Sequence, residues 1–264
     1  LSPTQPFPVK PPPLVPHAMS AEDIWGITVV DRGQCRRKYG DARFGPIFTP
    51  PSLEGTVVVP STAGGINWGG VAVDPRNRIL VTKVLRMAHF VQLIPLDAVP
   101  DPGDGAPENL MGTPSPLLGT PYALKQEPMV SDMFTPCVTP PWAAVIAVDL
   151  QAGEILWQSP LGVLDKLMPM PLPLKWGTAS FGGPIITGGG LVFIGATQDN
   201  RIRAFALATG EEIWEAELPT GAFAMPMTYA IKGRQYVVIA AGGHPFIYPQ
   251  PGDTLTAFAL PAAE

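Results

Sequence analysis

The chain has 264 residues and a net charge of −5, from 17 basic and 22 acidic side chains. Its 34 prolines and 28 glycines approach the composition of disordered chains, but 46% apolar residues, six tryptophans and eleven phenylalanines provide enough buriable surface to fold. Only 15% of residues are charged and the basic ones form no stripe, which argues against nucleic acid as a partner; so many prolines exclude a helical bundle, because each removes a backbone donor and breaks a helix interior.

In chain order, residues 1–20 are Pro-rich without apolar period and read as an extended arm or linker. They lack the basic, apolar and small-residue regions of a signal peptide and an initiator Met, so a processed or truncated product is expected. From Ala21, AEDIWG is suited to a short helix, with Ser20 as N-cap and Asp23 completing a weak capping box. Short β-branched runs follow at Gly55–Ser61, Gly69–Pro75 and Arg78–Val84, and DPRNR between the last two has hairpin turn chemistry. Residues from about 95 to 141 have neither a strand nor a helix period and read as a long irregular insertion. A second irregular stretch, Leu167–Gly177, alternates Pro with large apolar residues. No apolar run is long enough to span a membrane.

An internal repeat organises the remainder. Ala144–Gly162 (AVIAVDLQAGEILWQSPLG) and Arg201–Pro219 (RIRAFALATGEEIWEAELP) superimpose as strand, Gly-containing turn and a second strand opened by Glu-x-x-Trp. Two further hairpins, GGPIITGGGLVFIGATQDN and MTYAIKGRQYVVIAAGG, follow the copies, and Asp253–Pro261 matches the first strand again. Four antiparallel strands per radially repeated unit describe an all-β fold, part of a β-propeller. Residues 21–264 then hold about three blades plus part of another. Trp157 and Trp214, at equivalent places, are expected to pack between blades as scaffold. Cys35 and Cys137 have no ligand-spaced partners, so zinc is not expected; a long-range disulfide, worth about 4 kcal/mol on the loop-entropy account, and two buried free thiols are both open.

With these residues in view, the chain resembles the C-terminal part of the membrane-bound pyrroloquinoline-quinone (PQQ) dehydrogenases of the glucose, quinate and shikimate branch. The AxDxxxGExxW repeat at Ala147–Trp157 and Ala204–Trp214 is similar to that family's tryptophan-docking motif. The stretches DIWGITVVDRGQCR, IFTPPSLEGT, NWGGVAVDP, FGGPIIT, FIGATQDNRIRAF and PMTYAIKGRQYVVIAAGGH agree in order along nearly the whole chain. The resemblance implies an eight-bladed propeller, of which this chain holds slightly under half. It also implies oxidation of a sugar or cyclic polyol with PQQ and Ca2+ or Mg2+, electrons passing to ubiquinone at the periplasmic face of the inner membrane. The family's catalytic aspartate, quinone-contacting lysine, metal-ligating acidic residues and membrane anchor lie upstream, so no catalytic or metal residue is assigned here and the N-terminal portion of the propeller is an expected partner.

Five residues are candidates. Asn67 and Trp68, in GGINWGG, fall where related quinoproteins place an Asn beside the cofactor; the glycines allow close backbone approach and the amide can donate to a quinone oxygen, whereas the plain alternative is a turn Asn before a core Trp. Lys83 falls where glucose-type enzymes keep an Asn; a cation there can polarise a quinone oxygen or carboxylate, the alternative being a solvated strand-end lysine. Asp199, in GATQDNR, either orients a cofactor-contacting side chain or is ordinary turn chemistry. His244, after AAGG, matches a family position near substrate, or is a surface loop histidine. His17 and His89 have no such context, RRK at Arg36–Lys38 reads as a solvated face, and no nucleotide-binding glycine motif opens a helix. A different class of function is a non-catalytic propeller scaffold that binds proteins in the periplasm, which has no reason to keep GGINWGG; an inactive fragment is a third.

Overall fold

The computed structural model describes residues 6–99, 112–165, 173–245 and 250–260. The chain is divided into two compact units, a larger one of Leu1–Val15, Gly65–Leu85 and Pro140–Glu264 and a smaller one of Pro16–Gly64 and Arg86–Thr139. In chain order the strands are β1 Thr56–Val58, β2 Val71–Asp74, β3 Ile79–Leu85, β4 His89–Pro95, β5 Ser115–Pro116, β6 Tyr122–Pro128, β7 Ala143–Asp149 and β8 Glu154–Pro160. They continue with β9 Ile185–Ile186, β10 Leu191–Ile194, β11 Arg201–Ala206, β12 Glu212–Glu217, β13 Met227–Ile231, β14 Arg234–Ala241 and β15 Thr254–Ala259.

The larger unit holds three antiparallel sheets in the orders β2-β3-β7-β8, β12-β11-β10-β9 and β13-β14-β15. The two copies of the sequence repeat are β7–β8 and β11–β12, and their registers coincide: Ala147 is opposite Trp157 and Ala204 opposite Trp214, each beside a bulge. Sheets are joined through small and β-branched side chains. Val81, Val145 and Ala147 meet Val192, Ile194 and Phe205, and on the next layer Ile202 and Leu218 meet Val237 and Ile239. Strand β7, buried along nearly all its length, reads as the continuous apolar run AAVIAVD because both its faces are covered. The far face of the first sheet is covered by Leu14, Val15 and Ile66, which places the end of the Pro-rich arm against Val84 and Ile146.

Trp157 behaves as the repeat predicts. Its indole Nε1 donates to the Leu207 carbonyl at 2.8 Å, and its ring lies on Gly210, whose φ of +73° and missing Cβ are both needed, since a Cβ would sit 2.4 Å from the ring.

The smaller unit corrects the sequence reading in two places. The expected short helix at Ala21 is only a 3-10 turn, Ala21–Asp23, although Asp23 Oδ2 does accept from Ser20 N and Oγ at 2.8 Å. The true helix, α1 (Val29–Tyr39), starts eight residues later, capped by Thr28 Oγ1 accepting from Asp31 N at 3.1 Å, with Asp31 in its first turn and Arg36, Arg37 and Lys38 in its last, complementing the helix dipole. Its weak apolar period and β-branched start concealed it. The stretch expected to be irregular contains β6, which pairs with β4 over seven residues from His89↔Pro128 to Pro95↔Tyr122; residues 100–111 of that stretch, like 166–172 of the second one, lie outside the described residues. The sheet order is β1-β4-β6-β5. Cys35 and Cys137 are disulfide-bonded across 102 positions, their Cα atoms 5.7 Å apart and both buried, which selects between the two alternatives for the thiols.

Candidate cofactor site

The site forms where the larger unit's glycine-dense segments meet. Gly65–Gly70 leads into β2 through a single 3-10 turn, Asn67–Gly69, made possible by Asn67 at φ +61° and Gly70 at φ +58°. Asn67 Oδ1 accepts from Trp68 N at 2.7 Å, the local bond that lets an Asn hold a left-handed conformation. Thr82 Oγ1 on β3 donates to the Gly70 carbonyl at 2.8 Å and fixes this turn to the sheet. Ser180–Gly183 passes the turn so closely that a Cβ on Gly69 would fall 1.7 Å from the Gly182 carbonyl oxygen, and one on Gly183 1.9 Å from that of Gly69.

This pinch brings three rings into nearly parallel planes. Trp68 lies 4.8 Å from Phe181 at 10° and 5.5 Å from His244 at 12°, and Phe181 lies 5.2 Å from His244 at 16°. Phe223 meets His244 edge-on at 5.7 Å. Trp68 is 56% exposed, so it is not the core Trp of the plain alternative. Beneath Phe181 lies Lys83, fully buried, its Nζ 5.5 Å from the ring centroid and donating to the Ser180 carbonyl at 2.8 Å. Lys83 is therefore no solvated strand-end lysine; burial pushes its ammonium down to about 8. The Ser180 hydroxyl, also buried, has no hydrogen-bond partner among the described residues. Burial also lowers the proton affinity of His244.

Asp199 is held in a buried cluster of hydrogen bonds. Its carboxylate accepts from Thr197 Oγ1 at 2.7 Å, Val163 N at 2.8 Å and both terminal nitrogens of Arg203, and Asp199 and Arg203 are both fully buried. Thr197 pairs through its backbone with Ser180, so this buried ion pair stands behind the strand segment whose carbonyl receives Lys83. Sequence reasoning brought out Asn67, Trp68, Lys83 and His244, which the fold gathers, but missed Phe181, Ser180 and Phe223. The signal available for Phe181 was its own SFGGP segment, where two glycines and a proline directly follow the ring.

A half-exposed indole face among parallel rings, a buried ammonium and an unspent hydroxyl fit one side of a flat, anionic, oxygen-rich ring compound. Among the described residues no group of three His, Cys, Asp or Glu side chains is placed to hold a metal ion.

Antiparallel sheets packed face to face, with Trp157 docked onto the neighbouring sheet, define a β-propeller architecture. The chain belongs to the family described as "PQQ: Glucose/ethanol/alcohol dehydrogenase, beta-propeller domain", which matches residues 1–237. It is 36% identical over 274 residues to the quinoprotein glucose dehydrogenase of Escherichia coli K12, covering 99% of this chain and 34% of that protein. It is 37% identical over 270 residues to the probable quinate dehydrogenase (quinone) of Xanthomonas campestris pv. juglandis, covering 99% and 34%. The crystal structure of quinohemoprotein alcohol dehydrogenase from Comamonas testosteroni shares the fold, with a TM-score of 0.51 and 23% identity over 78% of this chain and 27% of that one. The chain thus spans about a third of the length of the curated relatives it matches.

Proposed function

We propose that this chain forms one wall of the cofactor chamber of a PQQ-dependent dehydrogenase acting on a sugar or cyclic polyol of the glucose, quinate or shikimate type. The observation that carries the reading is the parallel set of Trp68, Phe181 and His244 with the Lys83 ammonium buried against Phe181. The bound quinone supplies the acceptor for the substrate's hydride. Trp68 offers it a ring face, and Asn67 beside it an amide held by its own turn. Lys83 offers charge to a quinone oxygen or carboxylate, strengthened by burial. A cation at Lys83, where resemblance places an Asn in glucose-type enzymes, weighs against glucose. His244, its proton affinity lowered, stays neutral near pH 7 and serves a substrate hydroxyl as a hydrogen-bonding group. Asp199 acts as a positioning residue through Thr197 and Ser180.

The catalytic base, the Ca2+ or Mg2+ ligands and a membrane anchor are assigned to polypeptide outside this chain, the N-terminal portion of the same propeller. Electrons pass to ubiquinone at the periplasmic face of the bacterial inner membrane; the "(quinone)" in the names of the quinate and shikimate relatives supports a quinone acceptor. No helix among the described residues is long and apolar enough to cross a membrane. The test adds PQQ and Ca2+ to the chain, alone and with the N-terminal portion, and follows Trp68 emission by difference against Trp68→Phe, together with dye reduction by glucose, quinate and shikimate. Quenching with dye reduction is expected once the propeller is complete; no quinone affinity in the complete protein overturns the reading.

A further inference from the structure

The hairpin that follows β6 in the smaller unit turns at Phe134, which has φ +60° and is 86% exposed. A bulky side chain is strained in this left-handed backbone, which glycine or asparagine adopts readily. Met133 beside it is 52% exposed. The turn is nonetheless held firmly. Ser131 N donates to the Thr135 carbonyl at 2.9 Å and Phe134 N to the Ser131 carbonyl at 3.0 Å, while Ser131 Oγ accepts from Met133 N at 3.2 Å and Thr135 N at 3.3 Å. Val130 and Pro136 bridge its base. The fold thus keeps two large apolar side chains at a rigid tip, in a conformation that favours glycine. Strain retained at an exposed aromatic points to a role outside the fold.

The same hairpin is fastened to the last turns of α1. Tyr39 Oη donates to the Val130 carbonyl at 3.0 Å and accepts from Val130 N at 3.3 Å, and the Cys35–Cys137 disulfide ties down the far side of the turn. Helix α1 ends in Arg36, Arg37 and Lys38, all exposed, and the charge of Asp132 acts on the Lys38 ammonium, so the basic run borders the tip. Lys38 also approaches Glu127 at 3.8 Å, which Lys125 holds more closely at 3.0 Å. Among the described residues no carboxylate pairs with Arg36 or Arg37.

We infer that the Met133–Phe134 tip inserts into the surface of an anionic lipid bilayer, with Arg36, Arg37 and Lys38 against the headgroups. By itself the basic run is a solvated face, and the tip by itself is two side chains. Side by side they supply the apolar and the basic signal that reversible attachment to such a surface requires. Each basic side chain near an anionic bilayer contributes about fivefold in affinity. The basic border favours a lipid surface over an apolar pocket on a protein, which would take Phe134 without it. The inference rests on the membrane-side placement proposed above, but not on quinone binding.

The test mixes the chain with vesicles of phosphatidylglycerol and phosphatidylcholine, or of phosphatidylcholine alone, and reads the bound fraction by sedimentation at low and at high salt. Binding to the anionic vesicles alone, weakened by salt, is expected. Phe134→Gly should lower it about tenfold while leaving the urea midpoint unchanged or higher, since glycine relieves the backbone. Phe134→Trp should retain it, and Arg36→Ser/Arg37→Ser should lower it by about tenfold or more. Equal binding to neutral vesicles overturns the inference, as does parental affinity in Phe134→Gly or in the double arginine variant. So does a Met133 that peroxide oxidises about tenfold more slowly in the complete protein than in this chain, without vesicles, because the tip then belongs to a protein contact. Vesicle binding without quinone affinity in the complete protein sinks only the proposed function; quinone affinity without vesicle binding sinks only this inference.

Discussion

The Lys83 ammonium donates to the Ser180 carbonyl at 2.8 Å across 97 sequence positions, joining β3 to the segment that carries Phe181. Burial costs the charged form, so the folded-state value of about 8 lies below the ordinary 10.5. Between these two values the unfolded chain binds more protons than the folded one, and stability therefore rises with pH from about 8 to about 10.5, by up to about 3 kcal/mol. Urea titrations across that window are expected to show the rise in the parent and not in Lys83→Met; parallel curves for both would place the ammonium in water.

His89, dismissed on sequence context, is a second buried base. Thr62 N donates to its Nδ1 at 3.2 Å and Thr62 Oγ1 lies against the same atom, so this nitrogen is held as an acceptor and the ring neutral. Desolvation lowers its proton affinity to about 4, below the ordinary 6.5. Stability contributed by the neutral ring is complete above about 6.5 and is lost as pH falls toward 4, by up to about 3 kcal/mol. The imidazole carbon protons, followed by NMR, should titrate below pH 5, and His89→Gln should flatten the acid limb of the stability curve.

At the tryptophan dock, geometry allows no side chain. Gly210→Ala is expected to lose about 2–4 kcal/mol, from a Cβ 2.4 Å from the Trp157 ring and from strain at φ +73°. Trp157→Phe keeps most of the apolar contact but forfeits the bond to the Leu207 carbonyl, about 1 kcal/mol. Thermal melts of the two variants should rank them in that order; a harmless Gly210→Ala would show that Trp157 docks elsewhere.

The repeat was legible because it is written twice with the same spacing from Ala147 to Trp157 and from Ala204 to Trp214, which announced the two strand–turn–strand units; that the alanine and tryptophan of each lie opposite one another is set by the bulge beside them. DPRNR likewise announced the β2–β3 hairpin. Helix α1 was not legible: its buried positions, Asp31, Cys35 and Tyr39, include an acid and a disulfide sulfur, so its buried side carries no apolar stripe to count. Strand β6, YALKQEP, was hidden for a related reason, its residues being mostly half-buried rather than alternately buried and exposed. At the candidate site, Trp68 and Lys83 stood out by glycine density and by family position. Phe181, which brings them together, acquires its role only from the crossing of Gly69 with Gly182–Gly183, a contact between segments far apart in sequence.

The disulfide joins α1 to the segment after β6, inside the smaller unit. Because both sulfurs are buried, reductant alone is expected to leave it intact under native conditions and to cleave it once denaturant opens the unit. The Cys35→Ala/Cys137→Ala variant should be destabilised by about 4 kcal/mol, read as a shift in urea midpoint.

Asp199 can be assigned by uncoupling its two possible tasks. It meets Arg203 where both are fully buried, so Asp199→Asn removes the guanidinium's nearest counter-charge, leaves it Glu212 at 3.5 Å and Glu215 at 3.6 Å, and should cost about 3 kcal/mol. Arg203→Met added to it removes the buried charge that has lost its nearest partner, and part of the stability should return, since a buried ion pair is worth little against apolar packing of similar volume. The stable double variant then separates the roles. If Asp199 only secures Thr197 and the Ser180 segment, PQQ affinity of the complete protein, read by Trp68 quenching, returns with stability. If its charge orients a cofactor-contacting group, affinity stays low although the fold is restored, and the shortfall should persist at high ionic strength, because a fully buried charge is screened little by salt.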